Sequence, residues 1–223
     1  RAEIKRAIAT PDDGWENLYA RCRGGIDILI LATRRDENRQ YQGKTLDKVA
    51  AMMGLDEIDA LMELVARDRS RVETAYFMID ETNVRREVQL PWMAFGSDSP
   101  SWAAEGAFLK RSTHPRAYGN FARLIGRYSR DLGLVPLPEA IRRLTRFPAD
   151  NLGLDRRGRI EAGYFADIVV FDPATVIDHA TFEDPQQYAT GVRDVIVNGT
   201  PALRDGEFAG AYPGRAVLGR GGR

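Results

Sequence analysis

The sequence has little cysteine, histidine or lysine, and each shortage narrows what the protein can be. Its 223 residues include one cysteine, Cys22, which cannot form an internal disulfide, so stability does not depend on an oxidising compartment. The 2 histidines, His114 and His179, lie far apart without metal-ligand spacing, and each is interpreted as structural. Lysine occurs at four positions and arginine supplies the other basic residues, a skew from which we infer no function.

The chain also lacks a long hydrophobic run and an excess of charge. Its longest strongly apolar stretch, residues 26–32, contains Asp27 and is far too short to span a bilayer. The 32 basic and 32 acidic residues cancel, so neither nucleic acid nor a membrane is expected as a partner. A composition of 43% hydrophobic and 29% charged residues excludes disordered, fibrous and disulfide-scaffold classes. The lone cysteine favours a reducing, cytoplasmic location.

The first part of the chain has the pattern of an α/β protein. A helix is predicted over residues 1–9, ending at 10–14, and a buried strand over residues 26–32. Residues 34–43 are predicted to be a solvated connection. Thr45 and Asp56 are candidate N-caps of two helices, the first ending at Gly54. The apolar face predicted for the second helix consists of Ile58, Leu61, Met62 and Val65.

A strand, a helix and a second strand are predicted next, at residues 72–79, 80–88 and 91–95, which suggests a parallel α/β unit. Two further helices follow. The first has an apolar stripe, and the second starts at Pro138 and ends near Phe147. The stripe consists of Phe121, Leu124, Ile125 and Tyr128.

The pattern changes to all-β near residue 150. A strand is predicted over residues 164–172, and a hairpin over 192–203 turns at Asn198-Gly199. Asp205-Gly206 is a second turn signal, and the Gly- and Arg-rich tail over 214–223 is predicted to be mobile.

Two residues stand out as candidates for chemistry. Asp98 follows the C-terminal end of an apolar predicted strand, where barrel enzymes place catalytic residues, and its alternative role is a turn-forming aspartate that bonds its own backbone. Arg116 follows a proline that stiffens its loop, so its guanidinium could bind a carboxylate in bidentate fashion or form an ordinary ion pair. These patterns alone do not choose between the alternatives.

Several sequence segments form recognisable motifs. One is GYFADIVVFD with a later VNG hairpin, and another is HPRAYGNF close after GSD, with ATFEDP downstream. Two more segments are AIRRLTRFPADNLGL (140–154) and VIVNGTPALRDG (195–206). Together they resemble the C-terminal half of an N-acyl-D-amino-acid deacylase (D-aminoacylase) of the amidohydrolase superfamily. The first motif is typical of amidohydrolases in general, whereas the second is narrower and points to the D-aminoacylase branch.

The resemblance implies an α/β fold, namely the C-terminal part of a TIM-type (β/α)₈ barrel followed by strands of a small β-sandwich. Residues 1–150 would be the barrel part, with an insertion covering the active site at about 20–70. Residues 151–223 would be the β-sandwich segment and tail. Residues 72–79 and 92–95 would then be the last two barrel strands.

The resemblance also implies a metal-dependent hydrolysis of the linear amide in N-acyl-D-amino acids. One or two zinc ions would lower the pKa of bound water. Asp98 would be a metal ligand and the general base, passing the proton of that water to the leaving amine. Arg116 would hold the substrate carboxylate, and Tyr19 is the nearest match to an aromatic residue that contacts the substrate.

The chain departs from the family pattern in two respects. Ser99 replaces the glycine of the commoner GSDG motif, so a turn requiring a positive φ at that position would be strained and could shift Asp98. The other metal ligands of the family would precede Arg1, so the missing N-terminal half is an expected partner and the fragment alone is expected to be inactive. The alternatives are a cyclic-amide or imide hydrolase on the same scaffold, or a non-catalytic remnant without the metal site.

Overall fold

The computed structural model describes residues 1–10 and 14–219. Residues 11–13, within the predicted end of the first helix, and residues 220–223 of the predicted mobile tail lie outside the described residues. Two compact units are present. The first comprises Arg1–Glu81, Ser101–Pro115 and Thr181–Gln186, and the second comprises Thr82–Pro100, Arg116–Ala180 and Gln187–Arg223. The domain boundary predicted near residue 150 stays a prediction.

The first unit places a short buried strand against two helices. Its helices and strands are α1 (Ala2–Ala9), β1 (Ile28–Ala32), α2 (Leu46–Met53), α3 (Glu57–Asp68) and β2 (Glu73–Tyr76). Every residue of β1 is buried. Because side chains alternate along a strand, Ile28 and Ile30 pack towards residues of α2 and α3, while Leu29 and Leu31 pack with Ala75 and Phe182.

The predicted end of α2 and the predicted N-cap of α3 are confirmed, whereas the cap of α2 and the apolar face of α3 differ from the prediction. Gly54 ends α2 at a φ of 66°, and the Asp56 carboxylate caps α3 by accepting from the Asp59 N–H. Thr45 is the N-cap residue of α2, but its hydroxyl accepts no capping hydrogen bond, and its backbone forms an isolated bridge to Leu29 of β1. The predicted apolar face of α3 was wrong in part, since its buried residues are Ala60, Leu64 and Asp68, whereas Val65 is exposed.

Residues 34–43, which the sequence predicts to be a solvated connection, are partly buried. Residues Asp36–Tyr41 form a 3₁₀ helix in which Asn38 and Tyr41 are buried. Asp68 explains this burial, because its carboxylate accepts hydrogen bonds from the Asn38 amide and from the N–H groups of Arg34 and Arg35. A single aspartate at the end of α3 thus fixes a connection that has no hydrophobic periodicity.

The predicted parallel unit is not present among the described residues. Instead, β2 pairs with β1 in antiparallel register, with Ile28 opposite Tyr76 and Leu29 opposite Ala75. The helix predicted after β2 is confirmed as α4 (Glu81–Val88). The apolar stretch Trp92–Phe95 has no regular structure, because no described strand lies beside it and the Met93 carbonyl is taken by an arginine side chain.

The core of the second unit joins α4 to the helices that follow the HPR motif. The next elements are α5 (Arg116–Arg123), a π-helix over Leu124–Asp131, α6 (Leu137–Leu144) and α7 (Arg146–Leu152). Leu124 and Tyr128 pack with Val88, Val135 and Ala140, and this confirms most of the predicted stripe. Phe121 is the exception, being 49% exposed. The predicted single helix from Pro138 is interrupted at Thr145, where φ and ψ are −126° and −87°.

The C-terminal part is an antiparallel sheet, as the sequence predicted. Strands β3 (Ile168–Phe171), β4 (Val192–Val197), β5 (Thr200–Arg204) and β6 (Glu207–Phe208) are paired in that order. Both predicted turns are confirmed, since Asn198 and Gly199 have φ of 51° and 80°, and Asp205 and Gly206 have 51° and 83°. In the described ranges, no helix has the length and apolar character needed to cross a membrane.

Candidate functional site

Asp98 lies on an exposed turn that follows the segment leading out of α4. Its side chain is 89% exposed, and its backbone has a φ of 46°. Aspartate tolerates this left-handed conformation better than most residues, because its short side chain can bond locally. The turn thus presents a carboxylate to solvent at a defined point of the second unit.

The strain expected at Ser99 is absent. The positive φ of this turn falls on Asp98 and not on Ser99, so replacing the family's glycine with serine imposes no left-handed conformation on a side chain at position 99. The condition under which Ser99 would be strained is therefore not met, and the left-handed conformation falls on the candidate catalytic residue itself.

Arg116 is the partner of Asp98. The Arg116 Nη2 lies 2.9 Å from the Asp98 Oδ2, and the arginine side chain is 41% exposed. Arg116 is the first residue of α5 and follows Pro115. A cation at this end of a helix opposes the helix dipole, so the position does not serve helix stability. The two residues that the sequence singled out separately are thus brought together in the second unit.

The ion pair itself contributes little to stability, because both side chains reach solvent. Exposed pairs of this kind are worth about 0–1 kcal/mol. A carboxylate of a ligand could therefore replace Asp98 as the partner of Arg116 at small cost. The arrangement offers an anion-binding guanidinium next to a carboxylate that can accept a proton.

Tyr19 lies in the first unit, where a partly buried hydrogen bond holds its side chain. It is in a 3₁₀ helix over Tyr19–Arg21, and its hydroxyl donates to the Glu57 Oε2 at 2.8 Å. The same oxygen accepts from the Gly25 N–H at 2.7 Å. Burial, reinforced by the Glu57 carboxylate, raises the pKa of the Tyr19 phenol to about 12. Asp98 and Arg116 belong to the other unit.

The described residues supply one candidate metal ligand rather than a set. No group of three or more histidine, cysteine, aspartate or glutamate side chains within the described ranges could hold a metal ion. His114 contacts the Phe182 ring edge-on at 4.9 Å, and the His179 Nε2 lies 2.8 Å from the Thr190 hydroxyl. Zinc sites in proteins use three or four protein ligands, so Asp98 alone does not make one.

Cys22 is a packed residue of the first unit. It lies against the cluster of Ile28, Leu46 and Ala60, and burial raises the pKa of its thiol. A protonated, packed thiol is a weak nucleophile, so Cys22 gives no support to a cysteine-based reaction.

Sequence reasoning missed Arg143, which holds the segment that leads to Asp98. It lies on α6 and is 1% exposed. Its Nε donates to the Met93 carbonyl at 2.7 Å, and its Nη1 donates to the Val88 carbonyl at 2.6 Å. Its guanidinium lies 4.4 Å from the centre of the Phe95 ring. The available signal was its position three residues after Ala140, on the apolar face of the helix.

Comparison with known proteins identifies the family. A model described as "Amidohydrolase family" matches residues 34–202. A D-aminoacylase of Alcaligenes xylosoxydans xylosoxydans is 42% identical over 178 residues, which cover 80% of this chain and 34% of the relative. An N-acyl-D-glutamate deacylase of the same organism is 38% identical over 209 residues, which cover 89% of this chain and 40% of the relative.

Solved structures agree with these matches. The crystal structure of a D-aminoacylase matches with a TM-score of 0.75 and 35% identity, covering 97% of this chain and 45% of that one. An N-acyl-D-glutamate deacylase from Bordetella bronchiseptica, complexed with zinc and a phosphonate inhibitor, matches with a TM-score of 0.70 and 34% identity, over 82% and 36%. This chain thus spans less than half of the length of each relative. It belongs to the amidohydrolase family.

Proposed function

We propose that the complete protein hydrolyses N-acyl-D-amino acids to a carboxylic acid and a free D-amino acid, and that this chain supplies Asp98 and Arg116. The observation that carries the proposal is the 2.9 Å contact between these two side chains. It joins a proton acceptor to a binder of carboxylates, which are the two functions that an amide hydrolase acting on N-acyl amino acids requires. The similarity to D-aminoacylase and N-acyl-D-glutamate deacylase supports the substrate class.

Substrate binding and proton transfer follow from an exchange of partners. The substrate carboxylate takes the place of Asp98 on Arg116, which frees the Asp98 carboxylate. Asp98 then accepts a proton from the water that attacks the amide carbonyl and gives that proton to the departing nitrogen. The C–N bond breaks, the acyl group leaves as a carboxylic acid, and the free amino acid is released.

The complete protein is also proposed to hold one or two zinc ions, because a related deacylase is complexed with zinc and a related D-aminoacylase has a binuclear metal centre. Bound zinc makes water a better nucleophile at neutral pH. Asp98 would be one ligand, and the others would lie outside the described residues. The roles proposed for Asp98 and Arg116 do not depend on where those other ligands lie.

The proposed architecture of the complete protein is a (β/α)₈ barrel with a small β-sandwich. Residues 72–79 and 92–95 would be its last two barrel strands, with 1–150 in the barrel part and 151–223 in the sandwich part and tail. The antiparallel sheet from β3 to β6 and the match to solved amidohydrolases support this arrangement. Trp92 is 68% exposed, as expected of a residue that packs against strands supplied by the rest of the protein.

The test is a substrate panel with the complete protein and two variants, Arg116→Lys and Arg116→Ala. Each N-acetyl-D-amino acid is paired with its L-enantiomer and with the D-amino-acid amide, which has no free carboxylate. We expect the D-acid to be preferred, with Arg116→Ala raising its KM about 10- to 100-fold because a charge-assisted contact is lost. Arg116→Lys should fall between wild type and Arg116→Ala, since lysine keeps the charge but not the bidentate fork.

Hydrolysis of amides or imides that lack a carboxylate, unaffected by either substitution, would contradict the proposal and favour the cyclic-amide or imide hydrolase. No hydrolysis of any substrate by the zinc-loaded complete protein would favour the non-catalytic remnant. Arg146→Met is the matched control, because the ion pair of Arg146 with Asp150 is exposed on both sides.

A further inference from the structure

Arg143 is a buried cation that contacts two backbone carbonyls and an aromatic ring, all of them neutral groups. It is 1% exposed, and its hydrogen-bond acceptors are backbone carbonyls. Its Nη2 is also buried and has no partner among the described residues. Burial lowers the pKa of Arg143, which shows that its charged form is disfavoured there. Burying an unpaired charge costs free energy, so the buried position of Arg143 indicates that it has a specific role.

The contacts of Arg143 converge on the segment between α4 and Asp98. They take the Val88 carbonyl, the Met93 carbonyl and the face of the Phe95 ring, which lies three residues before Asp98. Arg142 adds a contact from its Nη2 to the Pro91 carbonyl at 3.2 Å. Within the described ranges the segment has no strand partner, and these side-chain contacts are what hold it.

We propose that Arg143 is a positioning residue, which fixes the stretch from Val88 to Phe95 and thereby sets the place and orientation of the Asp98 carboxylate. The inference rests on the proposed function, in which Asp98 moves the proton. In that function the substrate carboxylate displaces Asp98 from Arg116, and the exposed, left-handed Asp98 then has no packing of its own to hold its carboxylate in place. Its precision must come from the chain that precedes it.

The geometry of the contacts requires a guanidinium. A planar fork can donate to two separate carbonyls while its face rests on an aromatic ring. Lysine would offer a compact, strongly hydrated charge that meets these demands poorly, and methionine would keep apolar volume but no donor. Arg143→Lys and Arg143→Met should therefore loosen the segment without emptying the core.

The experiment compares wild type, Arg143→Lys, Arg143→Met and the control Arg146→Met, all in the complete zinc-loaded protein with N-acetyl-D-amino acid substrates. We expect both Arg143 variants to lower kcat about 10- to 100-fold with little change in KM, since small misplacements of a reacting group cost that much. Amide hydrogen exchange over residues 92–98 should become faster, while exchange in β4 and β5 stays the same. Arg146→Met should change none of these.

A second comparison separates positioning from a general structural role. In an Asp98→Asn background, Arg143→Met should lower the residual kcat by less than threefold, because a residue that acts through Asp98 has nothing left to position. A full additional loss in that background, or a wild-type kcat in a folded Arg143 variant, would overturn the proposal. Failure of both Arg143 variants to fold would also overturn it, since the loss would then be global.

These outcomes are distinguishable from failure of the proposed function. If the wild-type protein hydrolyses no N-acyl amino acid, the proposed function fails, and hydrogen exchange over residues 92–98 alone decides the role of Arg143. Faster exchange in a folded Arg143→Lys variant would still support local fixation of the segment, and unchanged exchange would refute it.

Discussion

Asp68 shows how a single buried carboxylate can organise a region without hydrophobic pattern. Its side chain is 0% exposed and accepts from Arg34, Arg35 and Asn38, as well as from the Ser70 hydroxyl. Burial by itself would raise the pKa of Asp68, but the hydrogen bonds from Asn38, Ser70 and the two backbone N–H groups outweigh it and lower the pKa to about 2. The ionised form is thus the one that the fold requires.

Replacing Asp68 with asparagine should destabilise the protein by about 1–3 kcal/mol at pH 7, because donors that faced a carboxylate would then meet an amide. The pKa of Asp68 is lower in the folded state than its usual 3.8, so its contribution is fully present above that value and is lost as the pH falls towards about 2. Urea unfolding of wild type and Asp68→Asn should therefore converge near pH 2.

Asp36→Asn is the control for this series, because Asp36 lies on the same 3₁₀ helix but forms only an exposed pair with Arg39. It should leave the free energy of unfolding within about 0.5 kcal/mol of wild type at pH 7. A difference between wild type and Asp68→Asn that stayed constant from pH 7 to pH 2 would show that the charge of Asp68 is not what stabilises the connection.

Tyr19 is the other residue whose proposed role can be tested singly. Its hydroxyl is fixed by Glu57, and the pKa of about 12 keeps the phenol protonated at neutral pH. If Tyr19 contacts the substrate, Tyr19→Phe should raise KM about fivefold, the value of one ordinary hydrogen bond. Glu57→Gln keeps a partner for the hydroxyl and serves as the comparison. An unchanged KM with a lowered melting temperature would assign Tyr19 to structure alone.

At the level of elements, the packing of residues 176–177 against the π-helix over Leu124–Asp131 depends on the absence of a side chain at Gly126. A Cβ built there would lie 2.4 Å from the Val176 carbonyl oxygen and 2.9 Å from the Ile177 Cδ1. The Leu132 N–H donates to the Arg127 carbonyl at 2.9 Å, five residues earlier, which is the spacing of a π-turn. Residues 176–177 can approach this helix only because residue 126 has no side chain.

Gly126→Ala should therefore destabilise the protein by about 1–3 kcal/mol or more, because the clash is with backbone rather than with a flexible side chain. Scanning calorimetry of the complete protein gives the measurement. Gly214→Ala is the control, since nothing lies within 4 Å of a Cβ there and its φ is not positive. Equal melting temperatures for the two variants would mean that residues 176–177 move away at no cost.

The elements also show which features a sequence can predict. The hairpin at Asn198-Gly199 and the helix end at Gly54 were predicted correctly, because both depend on local backbone conformation that glycine and asparagine encode. The face of α3 and the break at Thr145 were not, since tertiary contacts decide them. The same holds for Trp92–Phe95, which forms no strand in the described ranges and whose Met93 carbonyl accepts a hydrogen bond from Arg143.

For the molecule as a whole, the residues of the candidate site were also predictable only in part. Asp98 and Arg116 could be singled out because each stands in a recognisable motif, and the structure brings them within 2.9 Å. Arg143 and Asp68 were missed, because charged residues are mostly exposed and only the position of Arg143 on the apolar face of its helix indicated burial. The chain spans less than half of the length of its relatives, and its described residues contain no group of three or more metal-ligating side chains.

The most direct test of the central claim is the rate of hydrolysis of an N-acetyl-D-amino acid by the complete protein with Asp98→Asn. We predict that this variant folds, keeps most of its zinc by metal analysis, and loses at least 10²-fold in kcat, because general acid–base transfer contributes about 10²–10⁴-fold. An Asp98→Asn protein with wild-type kcat on that substrate would contradict the role of Asp98 and the function proposed for the chain.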